Sequence, residues 1–227
     1  MNPTINDRYS IFIDSVIRFK YQNFTKTEKG LPETIPKEKT YAYFFCNFYD
    51  TVLTKPIDTS ECFSLDFTFS NCTNLSSIKY LDKIDTQYVR SMRHIFGNDK
   101  HLVDYSGIET WDVSHCAAFN HAFEHSGIQS LKYFESWKFR DTHCDAMFKS
   151  SDLISLEGLN KIDLSNVISS TEMFANLKIT SLKGTENLDL SHIKNPYKMF
   201  SNNNKLKNLS PSETWKLPQG ISLLDLF

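Results

Sequence analysis

The run Leu102-Val-Asp-Tyr105-Ser-Gly-Ile108-Glu-Thr-Trp111-Asp-Val-Ser-His-Cys116-Ala-Ala-Phe119-Asn-His-Ala-Phe123 decides how the rest of the chain reads. Apolar residues fall on every third position from Leu102 to Trp111. They then move to the offsets of a helix face at Cys116, Phe119 and Phe123. The closing phenylalanine recurs on both sides, as Phe69, Phe96, Phe123, Phe148, Phe174, Phe200 and Phe227, at gaps of 27, 27, 25, 26, 26 and 27. The anchor 11 or 12 positions earlier recurs as Ile57, Ile84, Trp111, Trp137, Ile162, Leu188 and Trp215, at gaps of 27, 27, 26, 25, 26 and 27. Two independent columns keep one period, so the chain is a repeat array from Ile57 onward.

Each unit converts into shape by its spacing. Val89, Met92 and Phe96, and likewise Cys116, Phe119 and Phe123, predict a short helix of about two turns. Ser60, Ser114, Ser165 and Ser191 stand three residues past their anchors, where they would cap that helix. Trp111-Asp112-Val113 and Ile162-Asp163-Leu164 alternate in and out as two- to three-residue strands. A second extended piece is expected near Leu131, Leu156 and Leu182. A unit this small cannot bury its apolar face alone, so the units must stack. The expected fold is α/β: a leucine-rich-repeat solenoid with one short strand and one short helix per coil, plus an N-terminal helical cap. Residues 57–227 form the solenoid, six units and a truncated seventh. Residues 1–56 comprise an amphipathic helix from about Asn6 to Gln22, a charged connector over Thr25 to Thr40, and an apolar segment, Tyr41 to Leu53, with the character of a degenerate first coil.

Trp111-Asp112-Val113-Ser114, Leu156-Glu157-Gly158-Leu159, Ile162-Asp163-Leu164-Ser165-Asn166-Val167, Met173-Phe174, Met199-Phe200 and Phe69-Ser70-Asn71-Cys72-Thr73-Asn74-Leu75 carry a family pattern. Together they resemble the BspA-like leucine-rich repeat family over about three quarters of the chain. The resemblance implies a curved solenoid that binds proteins or surface ligands and is commonly displayed on a cell surface.

Composition excludes several classes of function. The 25 Lys+Arg against 27 Asp+Glu leave a net charge of -2, without the basic footprint of a nucleic-acid binder. No window is long and apolar enough for a membrane span. Asp7 and Asp14 interrupt the amino terminus where a signal peptide needs an apolar core. The expectation is a cytoplasmic protein, with surface display the alternative if a signal was removed. Five cysteines at spacings of 16, 10, 44 and 28 make neither a disulfide framework nor a zinc ribbon. Cys62 and Cys116 share a column with Val89 and Val167, which marks them as core thiols. His115, His121, His125 and His143 lie near Cys116 and Cys144 but at no recognised ligand spacing. In His115-Cys116 and His143-Cys144 the adjacent side chains point apart, whereas a nucleophile and its base need hydrogen-bond reach. No Gly-rich phosphate loop, metalloprotease motif or nucleophile elbow is present. No catalytic residue, metal ligand, cofactor or small-molecule substrate is expected.

Function is therefore expected on the outside of the array. The residue after each anchor is Asp58, Asp85, Asp112, Lys138, Asp163, Asp189 or Lys216. Of these, Asp85, Asp112, Lys138, Asp163 and Asp189 are the candidate partner-binding residues, unless each Asp merely bonds the turn that it begins. Ser77, Asp104, Ser130, Ser155, Ser181 and Asn208 form a second small polar column. The expected role is a non-catalytic module that binds a protein or ribonucleoprotein. The leading version is an intracellular effector or mobile-element-encoded antagonist of a host complex; the alternative is a surface adhesin fragment.

Overall fold

The computed structural model describes Leu31, Ile35 and residues 37–227. The expected amphipathic helix lies outside the described residues. Within them, α-helix is confined to α1 (Leu223–Leu226). Strand is confined to two parallel pairs: β1 (Val52–Leu53) with β2 (Ser77–Ile78), and β3 (Thr142–His143) with β4 (Val167–Ser169). The expected α/β leucine-rich-repeat solenoid, with a strand and a helix in every coil, is thereby corrected. The chain is built mostly from turns, and the strands predicted at Trp111–Val113 and Ile162–Leu164 are absent.

Backbone handedness explains why the helix pattern misled. Each unit carries two left-handed residues four positions apart: Phe67 and Asn71, His94 and Asn98, His121 and His125, Ala146 and Ser150, Glu172 and Asn176, Lys198 and Asn202. A right-handed helix cannot pass through such residues. The Ile95 and Gly97 N–H groups close three-residue turns on Met92 and His94, while those of Met92, His94, Phe96 and Asn98 donate to the carbonyls of Ala118, Asn120, Ala122 and Glu124 in the next unit. The same four-bond ladder joins residues 119–125 to 143–149 and 144–150 to 169–175. In a helix these donors would all bond within one segment; here every second one is spent between units. The apolar i, i+3, i+4 spacing is real, but a chain of turns produces it.

The third-position runs become 3₁₀ turns, as at Leu81–Lys83, Ile108–Thr110 and Leu159–Lys161, where three residues per turn place every third side chain inward. Parallel bridges link Ser64, Ser91, Ala118 and His143 in succession. The closing phenylalanines form one continuous row, from Phe45 through Phe69, Phe96, Phe123, Phe148, Phe174 and Phe200 to Phe227, with ring centroids 5.4–5.7 Å apart. Anchor tryptophans need a partner for the indole N–H when buried. Trp111, Trp137 and Trp215 donate to the carbonyls of Leu81, Ile108 and Thr185 in the preceding units, at 2.8, 2.9 and 2.7 Å.

Candidate functional site

The residue after each anchor stands at a corner of its unit. Asp58, Asp112, Asp163 and Asp189 each accept, through Oδ1, the N–H of the serine two residues on at 2.9–3.1 Å; Asp85 does the same for Gln87. The serines expected to cap helices thus donate to a turn instead. The hydroxyls of Ser60, Ser114 and Ser165, and after them these N–H groups, hold the Asp58, Asp112 and Asp163 carboxyls below the ordinary value, and Ser191 with Lys216 lowers that of Asp189 to about 2. Lys138 lies 3.9 Å from Asp163 and Lys216 lies 3.1 Å from Asp189. Asp58, Asp85 and Asp112 make no such ion pair among the described residues, Lys37 pairing with Glu61 and acting on Asp58 only from further off, so the acidic stripe is confined to the first three anchors. An open groove of 440 Å³ lies between the Asp163 and Asp189 corners, lined also by Ser165, Glu186 and His192. The second polar column is built alike: Asp104, Ser130, Ser155, Ser181 and Asn208 each accept the N–H two residues on.

The first left-handed position of the units from Tyr43 to His121 forms another column, half-buried at the surface, whereas its counterpart Ala146 is buried. Tyr43, Phe67, His94 and His121 stack there with ring centroids 4.5 Å apart at each step, the two imidazoles within 1° of parallel. The backbone fixes both histidines, since His94 N–H donates to Asn120 O and His121 N–H to Asp145 O. His121 Nδ1 and Glu124 Oε2 are 2.8 Å apart. Burial alone would raise the Glu124 carboxyl, but the His121 contact and nearby histidines hold it below the ordinary value. Burial, then repulsion from His121, pulls His94 down to about 4, so it is a neutral imidazole at pH 7. Beside it, Arg93 donates Nε and Nη2 to buried Asp66 Oδ2 at 3.0 and 2.7 Å, which offsets the guanidinium charge. His94, His121 and Glu124 bring ligand atoms within 4.8 Å of one another, the one such trio of metal-ligating types among the described residues.

The structure thus takes His121 out of the expected His/Cys neighbourhood and joins it to His94 and Glu124, neither of which the sequence reading singled out. The column Tyr43, Phe67, His94, His121, at gaps of 24, 27 and 27, was the available signal. Cys62, Cys72, Cys116 and Cys144 are buried free thiols. Burial pushes Cys62 up to about 11 and Cys116 up to about 12, and it raises Cys72 and Cys144 as well. As thiols they are poor nucleophiles at neutral pH. No helix among the described residues is long and apolar enough to cross a membrane.

The family model described as "Mycoplasma protein of unknown function, DUF285" matches residues 63–181 and 142–227. No curated protein and no solved structure matches the chain.

Proposed function

We propose, from the premise that this chain belongs to the DUF285 family, that it is a non-catalytic binding module whose partner is a protein or the protein part of a ribonucleoprotein. The observation that carries this reading is the run of corner carboxylates at Asp58, Asp85 and Asp112, one per unit and without a lysine in ion-pair contact among the described residues, next to the neutralised corners at Asp163 and Asp189. Like charges at the period of the array suit a partner with a basic face, and such complementarity governs encounter rate and choice of partner. The likeness to BspA-like repeats supports binding as the role. An effector that antagonises a host complex from the cytoplasm is the specific form proposed.

The turn geometry supplies the test. Asn keeps the Oδ1 acceptor that the corner needs and removes only the charge. Immobilised full-length chain is used to capture partners from a cell lysate, with mass spectrometry to identify them, and the Asp85→Asn/Asp112→Asn double variant is run beside it. The variant should melt with the parent, its turns being intact, while capture of the identified partner falls roughly tenfold or more. Undiminished capture by a folded variant rejects the acidic stripe as the binding face.

A further inference from the structure

We propose that His94, His121 and Glu124 form a binding site for a divalent transition-metal ion, Zn²⁺ above all. Two imidazoles and a carboxylate are a donor set that Zn²⁺ accepts with water in its remaining position. The ligand atoms already lie within 4.8 Å. A tetrahedral ion with ligands at about 2.0–2.2 Å sets its donors about 3.4 Å apart and uses lone pairs in the plane of each ring, so the imidazoles, now parallel within 1°, have to turn toward each other, a movement open to side chains on the surface of the array. The backbone beneath does not have to move. His94 and His121 are tied to the next units through their N–H groups, and Glu124 N–H donates to His121 O.

Two features set this trio apart from a chance surface cluster. Phe67 stacks on the outer face of His94 at 4.5 Å and His121 on its other face, so the two imidazoles stand side by side at the edge of an aromatic row. Gly97 occupies in its unit the place that Glu124 holds in the next, and a Cβ there would sit 3.4 Å from His94 Nδ1. The missing side chain leaves the edge of His94 open on the side where Glu124 stands. At His121 a metal on Nδ1 would replace the hydrogen bond to Glu124 Oε2, with the ring proton carried on Nε2.

Metal-free full-length protein titrated with ZnCl₂ in a calorimeter tests this. One saturable Zn²⁺ per chain is expected. His94→Phe and His121→Phe each remove a ligand nitrogen while keeping a ring in the stack, as Phe67 already does, and should weaken binding by more than about a hundredfold. Glu124→Gln should weaken it by roughly ten- to a hundredfold. His115→Ala, at an exposed histidine outside the trio, should bind like the parent. The proposal is overturned by absence of stoichiometric binding in the parent, by parental affinity in His94→Phe, or by loss of binding in His115→Ala.

Discussion

Asp99 is fully buried, and its two oxygens are treated differently. Oδ1 accepts the Cys72 N–H at 2.7 Å, whereas Oδ2 has no hydrogen-bond partner. Burial pushes its carboxyl well above the usual carboxylate range, so it folds as the acid. At the corresponding place near the carboxyl end, Asn203 accepts the Leu177 N–H through Oδ1 and donates Nδ2 to Phe174 O and Phe200 O at 2.9 and 2.7 Å. Asp99→Asn should let the amide make the same donations to Phe69 O and Phe96 O. A gain of about 1–3 kcal/mol at pH 7 is expected, the usual value of satisfying a buried polar atom. The pH dependence has a definite sign. A carboxyl whose folded pKa is raised contributes its stability below the unfolded value of 3.8, and that contribution is lost as pH rises toward the folded pKa. The advantage of the variant should therefore shrink toward pH 4 and widen toward pH 7. Parallel urea titrations at the two pH values measure it, and a constant difference would contradict a protonated Asp99.

At the scale of the element, the period was legible and the backbone was not. Phe69, Phe96 and Phe123 announce where each unit closes, and the structure stacks those rings in order. The spacing of Val89, Met92 and Phe96 gives no sign that His94 and Asn98 turn left-handed between and beyond them. A turn chain and a helix put the same apolar residues inward, so periodicity cannot separate them. The recurring Asn at the second left-handed position (Asn47, Asn71, Asn98, Asn176 and Asn202) was the local cue, since Asn tolerates that region better than other non-glycine residues. The corner carboxylates were placed correctly on the outside, with their turn bonds already weighed; the His94, His121, Glu124 trio was hidden because its members come from two units. Lys198, exposed and at φ 56°, tests the left-handed geometry directly. Glycine occupies that region freely, whereas a β-branched side chain clashes with it. Lys198→Gly should exceed Lys198→Val in stability by roughly 1–2 kcal/mol, read from chemical denaturation. Equal stabilities would mean that the segment is not held left-handed in solution.

Across the described molecule, the row of rings from Phe45 to Phe227 runs from unit to unit, and within the row each ring meets only its two neighbours, although Tyr105 also touches Phe96 and Phe123, and Phe134 touches Phe123 and Phe148. Phe123 lies 5.4 Å from Phe96 and 5.5 Å from Phe148, while Phe174 lies 5.4 Å from Phe148 and 5.6 Å from Phe200. Energetic coupling should follow those contacts. Aromatic pairs contribute about 0.5–1.5 kcal/mol beyond the area they bury, and that share disappears once when either partner is lost. Phe→Leu keeps most of the volume and removes the ring, at a cost of about 1.5 kcal/mol or less per site, so double variants remain folded enough to measure. Phe123→Leu with Phe148→Leu, which share a stacked face, should depart from additivity by at least about 0.5 kcal/mol. Phe96→Leu with Phe174→Leu, separated by two rings in the row, should add to within about 0.5 kcal/mol. If the distant pair coupled as strongly as the adjacent one, the stack would be transmitting strain along its length, and a nearest-neighbour account of its stability would fail.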